Sequence, residues 1–349
     1  MLTIIEKIDP DNIDMQKIGR AANLIKSGEL VAFPTETVYG LGGDALNPES
    51  SKKIYAAKGR PSDNPLIVHI ADIDALRCIA RNIPDAAYKI AEAFWPGPLT
   101  MILNKTKTVP YETTGGLDTV AVRMPSDSVA AAFIRLSGGF VAAPSANTSG
   151  RPSPTTADHV KDDLYGKIAM ILDAGPVNIG LESTIIDLTG KEPMILRPGY
   201  ITNKMLSGLL GSVNDDPALT SVSPDAHPKA PGMKYRHYAP KADMIIVDGE
   251  AKKTAAWINN AALELHMQGK RTGVICTDET LSLYNADEIR SAGSRDNEDE
   301  ISRRLYSILR EFDELNVDMI YSENFNTPRL GDAIMNRLQK AAAHNIIKV

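Results

Sequence analysis

The 349-residue chain has few of the features that usually announce a function. Its two cysteines, Cys78 and Cys276, lie far apart and form no CxxC pair, which leaves neither a disulfide framework nor a thiolate zinc site. A reducing compartment suits such a chain, so a cytoplasmic location is expected. The six histidines are scattered, and none pairs at the spacing a metal site needs, so no metal held by protein side chains is expected. No run approaches the ~20 apolar residues of a membrane span, and the start, MLTIIEKIDPDN, is no secretory signal; no membrane partner is expected. A basic excess is also missing. Lys and Arg number 38 against 44 Asp and Glu, a net charge of -6, so any RNA contact must be local. GxxxxGK[ST], GxGxxG after a strand, HExxH and GxSxG do not occur, and the glycine-rich GLGGDA misses the dinucleotide spacing.

What is there is an alternation of helical and strand patterns. With 43% hydrophobic and 23% charged residues, the chain can bury ordinary cores, and its length suits two domains. Met15–Lys26 reads as an amphipathic helix stopped by Gly28. Strands are expected at 30–33, 66–70, 99–103, 119–123, 140–143, 170–173 and 184–188. Several follow one another with no helix between, which favours a mixed sheet. The stretch PTETVYGLGGDA reads as a loop. Residues 212–241 hold five prolines and little periodicity, the composition of a linker. Beyond them strands at 244–247, 272–277 and 319–321 alternate with helices at 252–267, 298–315 and 333–343. That pattern predicts a small parallel, doubly wound α/β domain. The expected domains are 1–211, a linker or lid at 212–241, and 242–349.

Four polar clusters carry the chemistry. PTETVYG follows a buried strand directly, where ligands gather in open α/β sheets; it also reads as an ordinary turn. In KGRPSDNP, Lys58 ends a helix and Arg60 and Asn64 sit in a short proline-flanked loop. Two cations held this way suit a polyphosphate, although Lys58 alone would equally serve the helix dipole. PSANTSGRPS follows the apolar strand FVAA with small hydroxyls and amides that fit phosphate or sugar, or a capped turn. The fourth is Glu182-Ser183-Thr184 with Arg197-Pro198-Gly199, joined by Arg123 at the end of VAVR. His69, inside the apolar LIVHI, is open to both a ligand and a core role.

Taken in order, FPTETVYGLG, KGRPSDNPLIVHI, FWPGPLTMIL, VAVRMPSD, APSANTSGRPSPT, STIIDL and ILRPG resemble the YrdC/Sua family of threonylcarbamoyl-AMP synthases. They span roughly residues 15–200. GMKYRHYAPKA and the α/β tail are similar to the longer, two-domain members. The resemblance implies a YrdC-like twisted mixed sheet and a Rossmann-like C-terminal domain. It implies a nucleotidyltransferase that converts L-threonine, bicarbonate (or CO2) and ATP, with Mg²⁺ carried on the nucleotide, to threonylcarbamoyl-AMP and pyrophosphate. A partner transferase complex would then modify adenosine 37 of tRNAs that read codons starting with A. The signatures Lys-x-Arg and Ser-x-Asn fall on Lys58, Arg60, Ser145 and Asn147, with Lys58 and Arg60 as the catalytic pair.

On the same basis ATP is assigned to Arg60, Asn64, Thr119, Ser145, Asn147, Ser153 and Arg197. Threonine is assigned to Thr35, Thr37, His69, Arg123, Ala143 and Ser183, with Arg123 on its carboxylate. The basic, aromatic stretch 232–240 is expected to close over the nucleotide through His237 or Tyr238, protecting a labile mixed anhydride. Two rivals differ in class. A non-catalytic RNA-binding module conflicts with the acidic balance. A carbamoyl-adenylating enzyme of the same domain type would carry extra modules that this chain lacks.

Overall fold

A computed structural model of the chain describes residues 2–219 and 237–349. It divides into two compact units. Segments 150–152 and 179–181 cluster with 237–349 in the second unit, and the rest of the described chain forms the first.

In chain order the first unit runs β1 Ile4–Lys7, α1 Met15–Lys26, β2 Val31–Phe33, β3 Gly40–Asp44, α2 Pro48–Lys58, β4 Ile67–His69, α3 Leu76–Ile79, β5 Ala80–Arg81, α4 Asp85–Phe94 and β6 Leu99–Lys105. It continues with α5 Tyr111–Thr114, β7 Thr119–Arg123, α6 Ser128–Leu136, β8 Val141–Ala143, α7 Ala157–Leu164, β9 Met170–Asp173, β10 Thr184–Asp187, β11 Met194–Arg197, α8 Asn203–Leu210 and β12 Asn214–Asp215. The sheet is mixed, ordered β1-β9-β2-β3-β8-β4-β7-β6-β10-β11-β12, with β5 on β6. Most of its strands bury both faces, because alternate residues point to opposite sides. Val31, Phe33, Val141 and Ala143 pack with Ile18, Ile25 and Phe133 of α1 and α6. Ala32, Ala142 and Ile171 pack on the other side with Ile54, Ile90 and Val160. Helix α1 forms as its sequence predicts: Asp14 caps Gln16 and Lys17, and Ile18, Ala21, Ala22 and Ile25 are buried.

Two expectations need correction. PTETVYGLGGDA is not all loop, because Gly40–Asp44 forms β3 between β2 and β8. Its glycines serve close approach rather than turning: a Cβ on Gly42 would sit 2.9 Å from Val141 Cγ1. The linker 212–241 is not structureless throughout either. Asn214–Asp215 pairs with β11 and Pro217–Leu219 makes one 3-10 turn. Most of that linker falls at 220–236, outside the described residues.

The second unit contains β13 Asp243–Asp248, α9 Ala251–Met267, β14 Thr272–Cys276, β15 Glu288–Ser291, α10 Glu298–Glu314, β16 Met319–Glu323, α11 Gly331–Ala341 and β17 Ile346–Lys348. Its five strands are all parallel, ordered β15-β14-β16-β13-β17, as the alternation of strands and helices implied. Strands β15 and β17, at the two edges, have no sequence signal strong enough to stand out.

Candidate active site

The KGR and PSAN segments meet. Helix α2 ends at Lys58, and Gly59 turns the chain away in the left-handed conformation, with φ 62°. This buries the Lys58 side chain instead of leaving it at a solvated helix end. Its ammonium donates to the Ser145 carbonyl at 2.5 Å, the Asn147 carbonyl at 2.6 Å and Asn147 Oδ1 at 3.2 Å. The Ser145 hydroxyl also donates to Asn147 Oδ1, at 2.5 Å, and Ser149 N–H donates to the Lys58 carbonyl at 2.9 Å. Lysine therefore shapes the serine-rich loop as well as carrying charge.

Arg60 donates to the carbonyls of Asn64 and Pro65 at 3.2 and 3.1 Å. This holds the proline-flanked loop in a closed turn. Asn64 is 1% exposed, and neither its amide nitrogen nor its oxygen finds a hydrogen-bond partner among the described residues. Thr119 opens β7, two residues before Ala121, which pairs with Ile67 of β4 just after this loop.

A second group lies along one row of the sheet. His69 pairs with Arg123, Arg123 with Thr100, Thr100 with Ile185, and Ile185 with Arg197. Directly paired residues point to the same face, so His69, Arg123, Thr100 and Arg197 share one side. Ala143 is on that side too, opposite Ile67. The apolar cluster along this part of the face, with Ile67, Ile102, Ala121, Ile185 and Leu196, draws on strands alone. The loop after β2 reaches the row: Arg123 donates to the Thr37 hydroxyl at 2.8 Å and forms a buried ion pair with Glu36, also at 2.8 Å. Thr35 is occupied in bracing the loop. Its hydroxyl donates to the Val38 carbonyl at 2.6 Å and accepts from Thr37 N–H at 3.2 Å.

His69 is buried and stands edge-on to Phe33, with ring centroids 5.9 Å apart. Burial, then the neighbouring Arg123 charge, push its pKa down to about 3. It is a neutral imidazole across the physiological range. Further along the row the Ser183 and Thr100 hydroxyls are 2.7 Å apart, and Arg197 donates to Ser183 O at 3.0 Å and Ser183 Oγ at 3.2 Å. Arg197 and Ser183, assigned to different substrates on sequence grounds, are thus one structural unit. Ser153 donates to Glu182 at 2.5 Å. Reading the sequence attached no role to Glu36 or Thr100, and it named Glu182 in a polar cluster without assigning it a ligand. Glu36 and Thr100 sit inside quoted motifs, but a carboxylate or threonine beside more suggestive residues carries no signal of its own.

His237 and Tyr238 lie in the second unit. Tyr238 is buried against Tyr306 of α10, with centroids 5.3 Å apart. Residues 232–236 of the expected lid are outside the described residues.

Two family models match the chain. One, covering Sua5, YciO and YrdC and described as Telomere recombination, matches residues 23–199. The other, described as the C-terminal domain of threonylcarbamoyl-AMP synthase, matches residues 201–343. A threonylcarbamoyl-AMP synthase of Pyrococcus abyssi is 48% identical over 348 residues, covering 100% of both chains. This chain belongs to the Sua5/YciO/YrdC family. A Bacillus subtilis threonylcarbamoyl-AMP synthase is 47% identical over 95% of this chain and 94% of its own. The crystal structure of P. abyssi Sua5 complexed with L-threonine superimposes with a TM-score of 0.95 at 48% identity, covering 99% of this chain and 100% of that one. The chain shares the two-domain Sua5 form, with its mixed α/β sheet and a parallel C-terminal sheet.

Proposed function

We propose that the chain joins L-threonine, bicarbonate and ATP into threonylcarbamoyl-AMP and pyrophosphate, for threonylcarbamoylation of adenosine 37 in tRNA. The observation that carries the reading is Lys58 tying the helix end to the Ser145–Asn147 loop, in a chain that matches Sua5 synthases over its whole length. The threonine amine and CO2 give an N-carboxylate, which attacks the α-phosphorus of ATP as pyrophosphate leaves. Such a step asks for in-line positioning and for charge to stabilise the phosphates, rather than for a strong base. Accordingly, His69 is neutral and the cations are arginines and a lysine.

In this reading Lys58, Arg60, Asn64, Thr119, Ser145 and Asn147 form the nucleotide side. Lys58 acts at short range as a point charge that also fixes the loop. The Asn64 amide, without a partner among the described residues, is available to a ligand polar group. Arg123, with Thr37 and His69 around it, takes the threonine carboxylate, and Thr35 and Ala143 shape the floor. Arg197 and Ser183 lie further along the row and contact the carbamate or α-phosphate, with Ser153 oriented by Glu182. His237 and Tyr238 are candidates to cover the nucleotide. Magnesium would arrive on the phosphates of ATP, where it neutralises charge. No helix among the described residues is long and apolar enough to cross a membrane. The cytoplasm is the expected setting, with a transferase as the downstream partner.

The test is pyrophosphate release by purified protein. It should require threonine, bicarbonate and ATP together, with threonylcarbamoyl-AMP seen by mass spectrometry. Turnover with carbamoyl phosphate in place of threonine and bicarbonate would point instead to a carbamoyl-adenylating enzyme.

A further inference from the structure

The second unit carries a crevice that the synthase reading does not use. Strands β13 and β16 are parallel neighbours. The chain leaves β13 through α9 toward β14, on one side, and leaves β16 through α11 toward β17, on the other. The first connection passes β16 and the second passes β13, so the two run in opposite directions, and ligands of doubly wound sheets bind outside the carboxyl ends of adjacent strands whose connections part in this way. A cavity of about 240 Å³ lies there, lined by residues that include Asp248, Thr254, Arg295, Glu323 and Asn324. That is far above the ~10–15 Å³ a single water needs.

The lining is built for a polar guest. Helix α9 is 17 residues long and begins at the cavity with Ala251, yet its cap residue Glu250 makes no side-chain cap bond and its first turn holds no acid. The free N–H groups of such a terminus attract negative charge. Thr254, in the first turn, is 2% exposed, borders the cavity, and its hydroxyl has no hydrogen-bond partner among the described residues. An unpaired buried hydroxyl is costly unless something meets it. The lining also holds acceptors. Asn324 gives its Nδ2 to Asp248 Oδ1 at 2.6 Å, which leaves Asn324 Oδ1 buried and without a partner among the described residues. Arg295 and Glu323 neutralise each other in an ion pair, and Tyr284 donates to the second Glu323 oxygen at 2.8 Å. Setting that pair aside, the crevice presents one positive pole, the α9 terminus with Thr254, and one negative pole, Asp248 with Asn324 Oδ1.

We propose that this crevice binds a free amino acid. Its carboxylate meets the α9 N-terminus and the Thr254 hydroxyl, and its ammonium meets Asp248 and Asn324 Oδ1. A simple anion such as phosphate would satisfy the first pole but face the Asp248 carboxylate, and a simple cation would do the reverse. Only a dipolar guest matches both. The site is separate from the threonine-binding row proposed above, and it stands whether or not the chain makes threonylcarbamoyl-AMP.

The test is isothermal titration of the full chain, without ATP, with each common L-amino acid except threonine, and with inorganic phosphate. At least one amino acid should bind one-to-one, and its N-acetyl and carboxamide derivatives should not. Thr254→Val and Asp248→Asn are near-isosteric changes, and each should weaken that binding by roughly tenfold, the loss of one good polar contact. Pyrophosphate release should persist in both variants. The proposal is overturned if no amino acid gives heat. Binding that ignores both substitutions overturns it as well. So does phosphate binding that Thr254→Val abolishes, which would mark a plain anion site.

Discussion

Lys58 and Asn147 are joined twice, through the Asn147 carbonyl at 2.6 Å and its side-chain oxygen at 3.2 Å. A residue that looks like a helix end in the sequence is thus the strut of the loop that follows β8. The same contact makes its removal a test of both fold and chemistry.

Lys58→Ala should reduce threonine-dependent pyrophosphate release by at least about 100-fold, the scale of losing one charge-stabilising group. It should also cost about 1–3 kcal/mol of stability, because the Ser145 and Asn147 carbonyls lose a buried donor. Arg60→Ala should impair activity comparably with a smaller stability loss, since its partners are loop carbonyls of a part-exposed turn. Activity assays paired with urea denaturation separate the two effects. A Lys58→Ala protein with full activity would remove Lys58 from the mechanism.

Arg123→Met should raise the threonine KM sharply and destabilise the fold by roughly 3–5 kcal/mol, because Glu36 is left as an unpaired buried charge. Adding Glu36→Gln should recover much of the stability without restoring threonine binding. If the double variant regained threonine affinity, Arg123 would be a structural partner of Glu36 and not a carboxylate ligand.

His69 should leave a signature in the pH dependence of stability. Its folded pKa, about 3, lies below the ordinary value of 6.5. Above pH 6.5 both folded and unfolded states hold it neutral, and nothing is lost. As pH falls from 6.5 toward 3 the unfolded chain takes up a proton that the folded one refuses. Stability then falls by up to about 1.4 kcal/mol per pH unit from this group. His69→Gln should flatten that part of the slope, as read from urea midpoints at pH 7 and pH 5. Threonine affinity should show no titration assignable to His69 between pH 6 and 8.

Gly42→Ala should destabilise the first unit by about 1–3 kcal/mol. The added methyl would sit 2.9 Å from Val141 Cγ1 and 3.1 Å from the Val31 carbonyl oxygen. Thermal melts of the variant check this; an unchanged midpoint would mean that β3 tolerates a side chain against β2 and β8.

Much of this protein is written locally in its sequence. The period of Ile18, Ala22 and Ile25, with Asp14 as cap, specifies α1, and the apolar runs around β7 and β9 specify those strands, because each signal depends only on neighbours along the chain. The strand and helix alternation after residue 241 likewise implies a parallel doubly wound sheet. The ordered motifs identify the family and, with it, the chemistry. Pairing across the sheet is a different matter. It sets His69, Arg123, Thr100 and Arg197 in one row, turns glycine-rich 40–44 into a strand, and buries Lys58 against Ser145 and Asn147. The Glu36–Arg123 pair spans 87 positions of sequence and the crevice between β13 and β16 depends on strand order. No local pattern encodes such relationships, since the energy that fixes them comes from burial and hydrogen bonding between segments distant in the chain.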